Sequence, residues 1–229
     1  WTRTRAHLDR LLVADDVEFE DETGLAVIDM EGPTAPDSLG ATSLATWTFI
    51  ENDGILAGNL PRHGGPAVSM LVPRDSLDAT LTAILAKNPH VRRIDPETLD
   101  TIRVERGIAR IGVDTTDKTI ALEARLNRAI SFNKGCYLGQ ETIERATARG
   151  GLKKRMFGLK FSEAEVPAPG AILTLEGKEV GRVTSAVRSP RFGAIGLAIL
   201  HHSAWTPGTE LKAGEGGVAI VTELPFAGS

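Results

Sequence analysis

The stretch NKGCYLGQETIERATARGG, Asn133 to Gly151, holds the chain's only cysteine, Cys136, and separates two textures of sequence. Its second half, Gln140 to Arg149, reads as a helix. Ile143, Ala146 and Thr147 share one side, and Gly150 supplies the stop. Gly135 and Gly139 bracket the cysteine, and glycine supplies the φ > 0 conformations of a tight, exposed loop. Cys136 is therefore expected just ahead of a helix N-terminus, where free N–H groups and the positive dipole end favour an anion. Lys134 adds a cation nearby, and together these favour a nucleophilic or metal-binding thiolate. Tyr137 offers a flat ring on which a ligand can stack. A lone cysteine is also a common inert core filler. Glycines on either side, Lys134 before it and polar Gln140–Glu141 after it are not typical core company.

Beyond Gly151 the chain is written in short β-type runs: MFGLKF, AILTLEGKEVGRVTSAVRS, GAIGLAIL and GGVAIVTELPF. Glycines, prolines and a Glu176–Gly177 turn punctuate them, and no helical stripe intervenes. Five or six strands in so short a span predict a small β-barrel or sandwich. The domains are accordingly drawn as 1–152, an α+β region, and 153–229, a C-terminal β-barrel. Lys153, Lys154 and Arg155, with Arg145 and Arg149, make a basic strip at the junction. A solvated surface is the ordinary explanation for such a strip, and without interleaved aromatics it is weak support for RNA contact.

Before Asn133 the pattern mixes helices with hairpins. RAHLDRLL places Leu8, Leu11 and Leu12 on one helical face. VEFEDETGLAVIDMEG alternates Val17 and Phe19, turns through Asp21–Gly24 and resumes from Leu25 to Met30, which predicts a strand pair. PTAPDSLG reads as a short helix or turn ended by Gly40. In TWTFIENDGILAGNL, Asp53–Gly54 between apolar runs is a hairpin signal. AVSMLVP is a further strand. Asp75 or Ser76 is placed to cap a helix whose Leu77, Leu81, Ile84 and Leu85 form a stripe. Asp95 as cap, Pro96 at the first position and Gly107 past the end bracket another helix, with Leu99 and Ile102 facing inward. Hairpins joined to helices without regular crossovers predict an α+β class with an antiparallel sheet.

Bulk numbers narrow the function. The 229 residues are 41% hydrophobic and 24% charged, as in ordinary globular proteins. Net charge is −4, from 26 basic and 30 acidic residues, which argues against a globally electrostatic nucleic-acid binder. No apolar run approaches the ~20 residues that cross a bilayer, so no membrane is expected as a partner. There is no signal-peptide pattern, and one cysteine makes no internal disulfide, so a cytoplasmic, reducing setting is expected. Nor does one thiolate hold an iron–sulfur cluster or zinc site alone, and no metal ligands are assigned. His201–His202 sit in a predicted strand, where neighbours face opposite ways. HGG at 63–65 and GEGG at 214–217 read as turns.

Glu105 poses a separate question. It falls in the last turn of the helix begun at Asp95, at the unfavourable end of the dipole. Arg103 and Arg106 beside it suffice to neutralise it. The alternative is a carboxylate held to accept paired hydrogen bonds from a planar heterocycle.

KGCYLGQE resembles the K-G-C-aromatic-x-G-Q-E signature of the YgfZ-type folate-binding proteins, relatives of the glycine-cleavage T protein. The upstream R-x-E-x-G-I-x-R-x-G-x-D pattern is similar too, carried here by Arg103, Glu105, Gly107, Ile108, Arg110, Gly112 and Asp114. VGRVTSAVRSP, GAIGLAIL and LPF resemble that family's terminal barrel. Glu144 departs from it, since a small residue is common there; Arg145 follows as in the family. The resemblance covers almost the whole chain, although the family carries an earlier segment that Trp1 to Leu12 looks set to follow.

The resemblance implies ferredoxin-like antiparallel α+β domains of the aminomethyltransferase folate-binding type, followed by a small β-barrel. It implies tetrahydrofolate, or a derivative, as cofactor. Glu105 would accept from the pterin, with Arg103, Tyr137, Gly135, Gly139, Gln140, Glu141 and Arg145 around the ligand. Cys136, with Lys134, would carry the chemistry through transient contact with iron–sulfur clusters of client enzymes or assembly proteins, tRNA-modifying radical enzymes among them. An aminomethyltransferase of the glycine-cleavage type is the rival reading. A thiol-redox enzyme ranks below both, because no second cysteine is present to resolve an oxidised one.

Overall fold

The computed structural model describes residues 2–13, 16–38, 44–52, 54–148, 151–162, 166–214 and 216–226. Two compact units are distinguished, Trp1–Arg93 and Ile94–Ser229. The boundary expected between 152 and 153 lies within the second. Among the described residues no helix is long and apolar enough to cross a membrane.

The first unit opens with helix α1 (Thr2–Leu11). Strand β1 (Leu25–Glu31), short helix α2 (Ala35–Ser38), β2 (Phe49–Asn52), β3 (Ile55–Gly58), β4 (Ala67–Pro73) and helix α3 (Leu77–Lys87) follow. The strands form one antiparallel sheet in the order β1-β4-β3-β2. Residues 16–20 form no strand, so the expected pairing of Val17–Phe19 with Leu25–Met30 is corrected. β1 pairs instead with β4, from Leu25 opposite Pro73 to Glu31 opposite Ala67. Glu18, Glu20, Asp21 and Glu22 would line a sheet edge with like charges, whereas β4 supplies apolar side chains. Alternate residues of β1 and β4, namely Ala26, Ile28 and Met30 with Val68, Met70 and Val72, are buried against Ala35 of α2 and Ile84 of α3. The β2–β3 hairpin closes where Asn52 pairs Ile55, and Gly54 has φ 74°. Asp53 and Gly40 lie outside the described residues.

The stripe on α3 is less buried than its spacing predicts. Ile84 is buried, while Leu85 is exposed. Ser76 stands at the N-cap without a side-chain cap bond, because a 3₁₀ turn over Arg74–Ser76 runs straight into the helix.

The second unit contains helix α4 (Pro96–Glu105), helix α5 (Gln140–Ala148) and strands β5 (Lys154–Phe161), β6 (Ile172–Leu175), β7 (Lys178–Ser189), β8 (Gly193–His201), β9 (Glu210–Ala213) and β10 (Gly217–Thr222). These six strands close a barrel in the order β10-β5-β8-β7-β6-β9. Closure follows because β10 pairs antiparallel with both β5 and β9. Phe157, Leu159, Leu173, Val183, Leu200, Leu211 and Val221 belong to one core cluster. Met156, Ile195 and Leu197 belong to another, with Val104 of α4 and Phe226. β5 and β8 therefore supply both clusters, which explains why GAIGLAIL is nearly continuous in apolar residues rather than alternating. An α+β sheet followed by a closed barrel is the expected architecture.

Leu175 and Lys178 pair across the Glu176–Gly177 turn, whose φ values are 50° and 78°. Two positive φ angles define a type I′ hairpin, and a left-handed glutamate is unfavourable there. Glu176→Asn is expected to stabilise the barrel by about 0.5–1 kcal/mol, read as a rise in the urea midpoint at unchanged slope.

Candidate functional site

Helix α4 is built as its sequence directs. Asp95 accepts from the N–H of Thr98 at 2.7 Å, and Pro96 follows at the first position. That bond holds the Asp95 carboxyl below its ordinary value. The helix ends at Glu105, and Gly107 has φ 68° with its Cα pressed close to Leu224, 2.7 Å from where a Cβ would lie. The inward face differs from the expected Leu99 and Ile102, which are half-buried. Val104 and Arg103 are the buried residues.

All three guanidinium nitrogens of Arg103 are bonded within the protein. Its Nε donates to Asp100 Oδ1 at 2.7 Å. Nη1 donates to Ile108 O at 3.1 Å and to Asp114 Oδ2 at 2.8 Å, and Nη2 donates to Ser185 Oγ at 2.7 Å. Asp114, 2% exposed, also accepts from the Arg110 N–H at 2.8 Å and from the hydroxyls of Thr184 and Ser185, each at 2.6 Å. Consecutive strand residues normally face opposite ways. Here the register shifts between Val183 and Ser185, and this irregularity lets both hydroxyls reach one carboxylate. The α4–loop segment is thus stapled to barrel strand β7.

Glu105 is not neutralised by Arg103. Its Oε1 accepts from Ser189 Oγ at 2.6 Å, and Oε2 lies 3.9 Å from Arg191 Nη1. Its backbone carbonyl accepts from the Phe226 N–H at 2.8 Å. The carboxylate is 12% exposed, so it is held but still reachable. Sequence reasoning missed Ser189 and Arg191, which stand more than eighty positions away with no local signal. It also missed Arg125, whose Nε donates to Met156 O and whose Nη2 donates to Glu223, both at 2.8 Å. This bond holds the Glu223 carboxyl below its ordinary value.

Cys136 is exposed, four residues ahead of the first residue of α5. The Lys134 ammonium lies 5.0 Å from the centre of the half-buried Tyr137 ring, a cation–π contact that occupies one face. The Tyr137 N–H donates to Gln140 Oε1 at 3.3 Å, and Gln140 Nε2 donates to Glu144 Oε1 at 2.7 Å. Glu141 pairs with Arg145 one turn on. Gly139 has φ 87°, whereas Gly135 has no positive φ, so only Gly139 meets the conformational expectation. Both have open space where a Cβ would go. Gly139→Ala is therefore expected to cost about 1 kcal/mol or more and Gly135→Ala less than about 0.5, checked by paired denaturation curves.

The basic strip is only partly present as a surface. Lys153 and Lys154 are exposed and Arg149 lies outside the described residues. Arg155 is half-buried, with its guanidinium 5.9 Å from the Phe157 ring centre. Burial and then Arg125 pull it below its ordinary pKa. The two histidines do not point apart: β8 ends at His201, a 3₁₀ turn begins at His202, and their ring centroids are 4.1 Å apart.

The barrel decides the relationship of this chain to known proteins. Residues 154–227 match the glycine cleavage T-protein C-terminal barrel domain. Upstream of this T-protein barrel the likeness continues. The chain is 35% identical over 132 residues to an aminomethyltransferase of Rippkaea orientalis, covering 56% of this chain and 36% of that protein. It is 28% identical over 230 residues to the human mitochondrial aminomethyltransferase, covering 90% of this chain and 56% of that protein. The chain thus spans between about a third and a little over half the length of these relatives. Its fold matches the crystal structure of glycine cleavage system aminomethyltransferase T from Bartonella henselae, with a TM-score of 0.83 and 21% identity, over 99% of this chain and 66% of that one. The fold is the aminomethyltransferase T type.

Proposed function

We propose that the chain binds a reduced folate through Glu105 and displays Cys136 as a thiol that serves the upkeep of iron–sulfur clusters in client enzymes. The observation that carries the folate half is the state of Glu105: held by Ser189, partly open, and an acceptor in the direction of that bond. A pterin presents an amino group and a ring N–H side by side, and a carboxylate accepts such a pair together. Arg103 fits as a buried support for the segment rather than as a ligand contact, and Tyr137, Gln140, Glu141 and Arg145 make up the loop and helix that carry the cysteine. The bound folate would supply one-carbon or redox chemistry; the chain supplies the acceptor and the thiol.

The KGCYLGQE motif and the exposure of its cysteine support the cluster half. A single thiolate holds no cluster alone, so Cys136 acts as one ligand beside those of a partner.

The names of the relatives favour a second reading, a folate-dependent aminomethyltransferase. That transfer needs acid–base help beside the folate and no thiol. The discriminating assay supplies tetrahydrofolate and an aminomethyl donor and follows released ammonia. No turnover is expected; measurable folate-dependent release would replace the accessory reading with the transferase.

A further inference from the structure

The β7–β8 connection holds a hydroxyl whose proton has one place to go. Ser189 is the last residue of β7 and pairs Gly193 across Pro190, Arg191 and Phe192. Gly193 has φ 74°, as in a three-residue hairpin closed by a left-handed glycine. Ser189 is 3% exposed, and its Oγ accepts from the N–H groups of Arg191 at 2.9 Å and Phe192 at 3.0 Å. A hydroxyl has two acceptor sites and one proton. With both acceptor sites used by the turn, the proton is directed along the 2.6 Å contact to Glu105 Oε1.

We propose that Ser189 is the positioning residue of the site: the hairpin fixes its hydroxyl as a donor, and that donor sets the Glu105 carboxylate with Oε2 turned toward a ligand N–H. This rests on the folate reading for the ligand and goes beyond it in naming how the acceptor is oriented. Among the described residues no hydrogen-bond donor lies on Oε2. Arg191 Nη1 stands off at 3.9 Å, and its guanidinium leans on the Phe192 ring, 5.0 Å from the ring centre. Oε2 therefore keeps its acceptor capacity, and Oε1 keeps a second lone pair beside the one Ser189 uses. A ligand with two adjacent N–H donors matches this arrangement. One with an acceptor at either place does not. Removing the Ser189 hydroxyl frees the carboxylate to swing onto Arg191, where charge attraction is no longer opposed by the hydroxyl bond.

The test has a ligand-free arm and a binding arm, both on the full chain. Crystal structures of the wild-type protein and Ser189→Ala are compared first. The carboxylate of Glu105 is expected to move to Arg191 in the variant; an unmoved carboxylate overturns the proposal. Titration then uses tetrahydrofolate and its 2-desamino-2-methyl analogue, which lacks the amino donor. Ser189→Ala is expected to weaken tetrahydrofolate about tenfold and the analogue less than about twofold, while Ser189→Thr, which keeps a hydroxyl, restores affinity to within about twofold. Equal losses for the two ligands mean a merely structural role and overturn the proposal. If Ser189→Ala fails to fold, Ser189→Cys, with a weak donor of similar size, is read in the same way. If the wild-type protein binds neither ligand, the folate reading falls, and the ligand-free structures still decide the role of Ser189.

Discussion

Replacing Asp114 with alanine is expected to destabilise the second unit by about 3–5 kcal/mol, enough to unfold a domain of ordinary stability. The reason is what stays behind. The guanidinium of Arg103 is 6% exposed and the Asp114 side chain not exposed at all. Alanine at 114 leaves that cation without its buried partner and the Ser185 hydroxyl without its acceptor, while the Thr184 hydroxyl keeps only Leu197 O at 3.0 Å. Asp100 is a poor substitute: its carboxylate is 27% exposed and also receives Arg110. The paired change Arg103→Met with Asp114→Leu removes both charges and is expected to recover most of the loss, since apolar replacement of a buried pair is often neutral. Urea denaturation of the three variants checks this. A loss below about 1 kcal/mol in Asp114→Ala would mean that the pair is solvated in solution.

Cys136→Ala is expected to separate folding from function. The thiol is exposed and contributes nothing to either buried cluster of the second unit. Stability should stay within about 0.5 kcal/mol of wild type, as for exposed substitutions away from caps and strained positions. Affinity for tetrahydrofolate should be unchanged, because Glu105 and its supports are untouched. Support of iron–sulfur client enzymes, measured as their activity in cells that depend on this protein, should be abolished. Full support by the variant would remove Cys136 from the account.

Local patterns in the sequence carried the elements that local physics decides. Asp95, Pro96 and Gly107 bracket helix α4 as expected, Gly54 precedes the paired Ile55, and the two-residue turn at 176–177 sits between paired strands. The barrel was legible from short β-runs and turn residues, because each hairpin is closed within a few positions. What escaped was non-local. Val17–Phe19 alternates like a strand, yet pairing is decided by a partner, and β4 is the better one. Nothing near Arg103 says that its guanidinium points at β7 rather than at a ligand. The irregularity at Val183–Ser185 that aims two hydroxyls at Asp114 has no mark in TSAV. Ser189 meets Glu105 only once the barrel has closed and α4 has packed against it. The residues that carry the proposed chemistry were thus readable as motifs, while those that hold them in place were not.

The central claim is that Glu105 is the acceptor for a reduced pterin. Calorimetric titration of the full chain with tetrahydrofolate, beside Glu105→Gln, tests it most directly. The amide keeps the shape and can still accept from Ser189, but it offers an N–H where the ligand offers another. Saturable binding by the wild-type protein, weakened about 10- to 100-fold in the variant, is the predicted result. Equal affinity in the two proteins, or no binding by the wild-type chain, would contradict it.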